Sequence, residues 1–318
     1  MSAPKHWNTL NSIGTQPPVV ESNLRLMVLS PGGQTTLWVL VEGDADPYFY
    51  ERMFVVGNVQ VIKAGVSDSA GVVRGGYHAV IELVGKMLAA RSYLLIIGII
   101  DRDWRLFIGH TEKLPANIFL TDRRDLEMTL LSYSRLRMAL RAEVMSTMSP
   151  NYLPYFVDGK WYNKNGDWFR DVWEKSVSVS RYMGIFHIMA ARFHMPSVGF
   201  KASVYWDKTN RKLLTDWREN LLQTAIRNVG MSRCKMHCKA FRINLRYGLS
   251  FRSFADVCRG HDMMSLLSKQ LIDNAHFSEK WITFYLSKEI SQDEIKNMRL
   301  YRNLNRWMNQ HSISLLIA

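Results

Sequence analysis

The chain of 318 residues is long enough for about two structural units, and its 47% hydrophobic content supports packed cores rather than disorder. With 41 Lys and Arg against 28 Asp and Glu, the formal net charge is +13, which favours polyanionic partners, nucleic acid ahead of membrane surfaces. Three cysteines exclude a disulfide framework, and no apolar stretch approaches the ~20 residues that cross a bilayer, so we expect a cytoplasmic protein without a membrane span.

The chain begins with a polar segment and then enters a buried strand. Residues 1–33 are polar, with proline and glycine toward their end, and predict an N-terminal arm. The apolar run TTLWVLVEG predicts a buried strand that ends at a glycine. PYFYERMF then predicts a helix, with Asp46 as its cap and Pro47 in its first position.

Strand and helix patterns alternate up to about residue 145. NVQVIKAG predicts a second strand, YHAVIELVGKMLAAR a helix, and SYLLIIGII a stronger buried strand. IFLTD is a further apolar piece, and a helical pattern follows it. This alternation predicts an α/β domain at residues 34–145, with a mostly parallel, Rossmann-like sheet flanked by helices. Residues 146–318 contain long Met- and Arg-rich helical stretches and predict a mainly α-helical C-terminal domain.

Acidic residues follow two of the buried strands. Glu42 ends the first strand, and Asp101 and Asp103 end the strand IIGII. Alternation along an extended segment predicts that Asp101 and Asp103 point the same way, with Arg102 opposite. If the two strands are neighbours, the three carboxylates converge, as the oxygen ligands of Mg²⁺ require. Acids at strand ends also simply meet solvent, but two buried strands that both end in acids favour a metal site.

These segments, VEGDAD and IIDRDW, resemble the TOPRIM fold, in which one strand ends in Glu-Gly and a later strand ends in Asp-x-Asp. That fold serves topoisomerases, bacterial primases, OLD-type nucleases and small RNA-processing nucleases. The resemblance implies an acid/base or metal role for Glu42. It implies Mg²⁺ binding, with Mn²⁺ as a substitute, for Asp101 and Asp103.

Three later segments extend the resemblance over nearly the whole chain: TDRRDLEMTLL, CRGHDMM and LYRNLNRWMNQ. They resemble a bacterial family of standalone TOPRIM proteins that includes the nuclease effector of the PARIS anti-phage defence system, which works beside an ABC-type ATPase. The resemblance implies a metal-dependent endonuclease for which we expect RNA such as tRNA as substrate. It also implies an ABC-type ATPase partner that holds the nuclease inactive, and a homodimer in the active state.

Two other functions stay open: a non-catalytic TOPRIM sensor or regulatory subunit of a defence complex, and a DNA nuclease of OLD type. A topoisomerase is disfavoured because the chain is too short for a strand-passage gate. A primase is disfavoured because the sequence contains no convincing zinc ribbon.

Several further residues have weaker claims to a site. Glu127 matches an acid of the family and would complete a second metal position, or it is an ordinary carboxylate in the first turn of a helix. Asp46 is a further metal ligand or only a helix cap. His261 and Asp262, with Cys258 nearby, have the residue types of a nucleophile, base and acid, but a local turn with Asp262 as a helix cap is the simpler interpretation.

One basic stretch, SRCKMHCKAFRINLRYGLSFR, interleaves cations with aromatic residues. Cations contact phosphates, and aromatic rings stack on unpaired bases. The alternative is a solvated basic face. The stretch predicts a nucleic-acid-binding surface made by Arg233, Lys235, Lys239, Arg242 and Arg246.

Overall fold

A computed structural model gives the fold of this protein. It describes residues 17–54, 58–103, 105–108, 114–147, 156–157, 160–161, 167–196, 199–200, 206–207, 212–271 and 277–313. Residues 1–16 of the predicted N-terminal arm lie outside the described residues. Within the described ranges, no helix is long and apolar enough to cross a membrane.

Strands and helices alternate in the first part of the chain, and helices dominate the rest. The strands are β1 Leu37–Val41, β2 Val59–Lys63, β3 Val66–Ser67, β4 Val73–Arg74, β5 Ile96–Ile100, β6 Ile118–Leu120, β7 Phe156–Val157, β8 Lys160–Trp161, β9 Trp206–Asp207 and β10 Lys212–Leu213. The helices are α1 Glu21–Leu29, α2 Asp46–Tyr50, α3 Tyr77–Ala90, α4 Arg105–Ile108, α5 Leu126–Ser132, α6 Ser134–Thr147, α7 Asp167–Arg192, α8 Trp217–Val229, α9 Arg233–Tyr247, α10 Phe254–Val257, α11 Gly260–Leu271, α12 Glu279–Glu289, α13 Gln292–Lys296 and α14 Arg299–Gln310.

The main sheet has four parallel strands in the order β2-β1-β5-β6. Every residue of β1 and β5 is buried, as expected for central strands whose sequences are continuous apolar runs. Helix α3 covers one face with Val80, Leu83, Val84 and Met87. The α/β class predicted from the sequence, a parallel sheet flanked by helices with a helical region after it, is confirmed.

The chain folds into two compact units that are interleaved in sequence. Unit 1 comprises Met1–Asp101, Glu112–Asp122 and Ile290–Ala318. Unit 2 comprises Arg102–Thr111 and Arg123–Glu289. The sequence pattern suggests consecutive domains because it shows where strands give way to helices, but it does not show which helices return to the sheet.

Helix α14 belongs to the sheet unit through its apolar stripe and its N-terminus. Leu300, Leu304 and Trp307 are buried, and the Trp307 ring meets Phe119 of β6 edge-on at 6.3 Å. The carboxylate of Asp122, just past β6, accepts the N–H groups of the helix at residues 299 and 300, both at 2.6 Å. A carboxylate distant in sequence therefore accepts two N–H groups that have no partner within the first turn of α14.

Unit 2 is built around the long helix α7. Its residues Met183, Phe186, Ile188 and Met189 are buried and pack with apolar residues of α8 and α9. The Met-rich pattern of this helix is therefore explained by the core of unit 2.

Candidate active site

The two acids that end the central strands of the sheet are joined by a hydrogen bond. Glu42 directly follows β1 and Asp101 directly follows β5, and these strands are paired in parallel. The Glu42 Oε1 atom accepts the backbone N–H of Asp101 at 2.7 Å. Both residues are half-buried. The parallel pairing of β1 and β5 thus brings Glu42 and Asp101, two of the predicted acids, together within unit 1.

The two acids of the turn after Glu42 have different partners. Asp46 Oδ2 accepts the backbone N–H of Gly43 at 2.7 Å. Asp46 is the first residue of α2, and Ala45 lies at the cap position, so the prediction that Asp46 caps this helix is wrong. Asp44 forms an ion pair with Lys63 of β2. The Asp46 carboxylate therefore binds a backbone N–H within the turn, and the Asp44 carboxylate binds a lysine of the neighbouring strand.

Asp103, in unit 2, has an unusual backbone conformation. Its φ is 47°, in the left-handed region, and its N–H donates to the carbonyl oxygen of Arg124 at 2.8 Å. A residue other than glycine reaches this region only at some cost, although aspartate tolerates it better than most. The strand ends at Ile100, and the extended geometry does not continue through Asp103. The strand alternation behind the prediction of parallel side chains for Asp101 and Asp103 therefore does not extend to Asp103, and that prediction stays a prediction.

Beside Asp103, unit 2 contains a buried charged pair that the sequence reasoning missed. Burial lowers the pKa of Arg124 to about 10, against the opposing effect of Asp125 and Asp103. Asp125 caps α5 by accepting the N–H of Met128 at 2.9 Å, and its other oxygen accepts the N–H of Gly260 at 2.8 Å. Burial raises the pKa of Asp125, while Arg124 and the two N–H donors oppose that rise. An aspartate immediately before an apolar helix is the signal of this cap.

Glu127 lies in the first turn of α5 and is half-buried. A Cβ added to Gly260 would lie 2.6 Å from the Cβ of Glu127 and 2.5 Å from Oδ1 of Asp125. The start of α11 therefore approaches the start of α5 as closely as only glycine permits. This explains the glycine of the CRGHDMM segment by packing.

The possible set of Cys258, His261 and Asp262 is not assembled as a nucleophile, base and acid. Asp262 is buried and its Oδ2 lies 2.9 Å from Nε2 of His187 in α7. It is the third residue of α11, so the prediction that it caps the helix is also wrong. His261 instead pairs with Glu279 at 2.9 Å. Burial raises the pKa of the Cys258 thiol to about 12, which is unsuitable for a nucleophile.

Burial and neighbouring charges shift the pKa of both members of the His187–Asp262 pair. Burial lowers the pKa of His187, and Asp262 opposes this only in part. Burial alone would raise the pKa of Asp262, but the hydrogen bond to His187 and the nearby Arg259 and Arg124 hold it below its usual range. Both shifts favour a neutral imidazole bonded to an ionised carboxylate.

The predicted basic residues lie on α9. Arg233 forms an ion pair with Glu219 at 2.8 Å, and the Lys239 ammonium lies 3.7 Å from the centre of the Phe193 ring. Met236 and Ile243 face the core of unit 2. The helix thus presents most of its cations away from the core.

The strand-end donors are carboxylate oxygens, which suits a hard divalent cation. In the part of the chain that the structure describes, no three acidic, histidine or cysteine side chains are gathered as they would be around an ion. Comparison of the sequence with protein-family models and with curated proteins finds no match.

Proposed function

We propose that this protein is a Mg²⁺-dependent nuclease that cleaves RNA. The observation that supports this most directly is the hydrogen bond between Glu42 and the backbone of Asp101 at the carboxyl ends of paired central strands. In open α/β sheets this edge is where ligands bind. The TOPRIM-like sequence motif adds Asp103 to the set.

The residues divide the chemistry between them. The TOPRIM-like motif implies that Asp101 and Asp103 would hold the ion, and the Asp101 N–H fixes the orientation of the Glu42 carboxylate. Bound Mg²⁺ would lower the pKa of a water molecule and offset the charge on the scissile phosphate. Glu42 would take the proton of the attacking water, or help to hold a second ion, for which Glu127 and Asp46 are the further acids. The basic residues of α9 would bind phosphates.

The resemblance to the PARIS effector supports the biological part of the proposal. The nuclease would act in the cytoplasm in anti-phage defence, restrained by an ABC-type ATPase until infection and active as a homodimer. Co-expression tests this restraint: we expect toxicity of the nuclease alone and relief by the ATPase in a complex that survives gel filtration. Equal toxicity with and without the ATPase, and no complex, would contradict it.

Cleavage by the purified protein tests the enzyme proposal. We expect end-labelled tRNA to be cut in Mg²⁺ and not in EDTA, because the proposed donors bind a divalent ion. Asp101→Asn and Glu42→Gln should each lower the rate by about 10²-fold or more, since they remove a ligand or the base. Glu82→Gln, a change to a surface acid of α3, is the matched control and should leave the rate unchanged.

Two outcomes would count against this proposal. Full activity in Asp101→Asn would exclude the strand-end site. Cleavage of duplex DNA and not of RNA would replace RNA by DNA as the substrate, as in the OLD-type nucleases.

A further inference from the structure

Helix α9 has an apolar row on the side that faces away from its core. Met236 and Ile243 are its buried residues. At 100° per residue, the direction opposite to them is occupied by residues spaced i, i+4, i+7 and i+11. These residues are Cys234, Cys238, Phe241 and Leu245. Phe241 is 68% exposed and Leu245 73%, and both cysteines are exposed. A surface helix ordinarily places polar residues there, so this exposed apolar row is unusual.

A basic row runs beside the apolar row with the same spacing. It consists of Lys235, Lys239, Arg242 and Arg246. Helix α9 contains no Asp or Glu, and none of these four cations forms an ion pair with a carboxylate of the described residues. The row spans about 16 Å, from eleven residues at 1.5 Å each. Four cations in line without counter-charges are suited to a polyanion.

A second apolar group follows the helix. Phe251 is 95% exposed. The turn that carries it is fixed, because Gly248 adopts φ 58° and the Phe251 N–H donates to the Gly248 carbonyl at 3.0 Å. Arg252 Nε also donates to the carbonyl of Tyr247 at 3.0 Å. The exposed ring is therefore held on an ordered turn.

We infer that the two rows of α9, with Phe251, bind a nucleic-acid segment whose bases are unpaired. The basic row contacts successive phosphates, and Phe241, Leu245 and Phe251 cover exposed base faces. A duplex offers phosphates but keeps its base faces stacked inside, so the apolar row would remain in water. A second copy of α9 would place cations against cations. This inference rests on the proposed function, whose substrate-binding surface it specifies.

Binding without cleavage tests the inference. Fluorescence anisotropy in EDTA compares a labelled unpaired RNA oligomer with the same oligomer annealed to its complement. We expect the unpaired RNA to bind more tightly. Phe241→Ser with Phe251→Ser should weaken its binding by about tenfold or more, as loss of base stacking does, with little change in the salt dependence. Lys235→Gln with Arg242→Gln should lower the slope of log affinity against log salt by about 0.7 for each phosphate that is no longer neutralised.

Matched controls change similar residues elsewhere in unit 2. Met138→Ser alters another exposed apolar residue of a helix, and Lys280→Gln another exposed cation. Both should bind like the wild type. Equal or tighter binding of the duplex, or a Phe241→Ser, Phe251→Ser variant that behaves like Met138→Ser, would overturn the inference. Binding of an acidic helical peptide in place of RNA would overturn it as well.

The readouts separate this inference from the enzyme proposal. If unpaired RNA binds as expected but is never cut in Mg²⁺, the nuclease proposal fails and the binding surface stands. If RNA is cut but the α9 variants bind it normally, the binding surface fails alone.

Discussion

At the scale of single residues, unit 2 has a left-handed aspartate, Asp103, beside a group of buried charged side chains. The left-handed backbone of Asp103 is bonded to the Arg124 carbonyl, and the Arg124 side chain is buried among Asp103, Asp125 and Asp262. Non-glycine residues in this conformation are found where surrounding structure holds them, often at functional sites. Asp103 is held by its bond to the Arg124 carbonyl, and its carboxylate lies in the field of the buried Arg124 guanidinium.

The two histidines near this cluster should affect stability in opposite directions with pH. Burial lowers the pKa of His187 below its ordinary 6.5, so the unfolded chain takes up this proton first, and the free energy of unfolding falls as the pH falls below about 6.5. Glu279 raises the pKa of His261. The stabilisation that the protonated His261 gains from Glu279 is therefore present below pH 6.5 and is lost as the pH rises through the raised pKa. We expect His187→Gln to weaken the loss of stability between pH 7 and pH 5, and His261→Gln to steepen it. Urea denaturation at both pH values measures the two effects. An unchanged pH dependence in His187→Gln would refute the assignment.

At the scale of elements, close packing of α3 on the sheet explains why residue 98 of β5 is a glycine. A Cβ at Gly98 would lie 2.5 Å from Val80 Cγ1 and 2.7 Å from Ile118 Cδ1. We expect Gly98→Ala to lower the free energy of unfolding by about 1–3 kcal/mol, because the two side chains must move. Gly85→Ala in α3 meets no atom within 4 Å and should raise it by about 0.5–1 kcal/mol. Chemical denaturation of both variants gives the comparison, and a stable Gly98→Ala protein would contradict the packing argument.

The elements also show what local sequence could predict. Continuous apolar runs predicted β1 and β5, and strand-end acids on a parallel sheet predicted that Glu42 and Asp101 lie together. The pair of His187 and Asp262 could not be found in this way, because its members lie on different helices and meet only through packing. The turn at Asp103 was missed for a similar reason, since the Arg124 carbonyl that receives its N–H belongs to a later segment.

At the scale of the whole molecule, the return of α14 to the sheet unit is testable. Asp122→Ala removes the acceptor of two N–H groups at the start of α14. We expect it to lower the free energy of unfolding by about 0.5–2 kcal/mol, as loss of a helix cap does. Asp171→Ala, which breaks only a surface ion pair with Lys175 on α7, should cost less. Equal effects of the two substitutions in urea denaturation would show that Asp122 does not stabilise the helix.

The interleaving of the units also has a consequence for synthesis on the ribosome. The strands of unit 1 emerge first, but α14 emerges only after all of unit 2 has been made. The apolar groups of β6 that α14 covers, Phe119 among them, therefore stay uncovered until α14 has been made. A chain interrupted after unit 2 leaves the sheet unit incomplete and prone to aggregation and degradation. For the nuclease proposed above, this order would link the finished sheet, and the acids at its edge, to synthesis of α14.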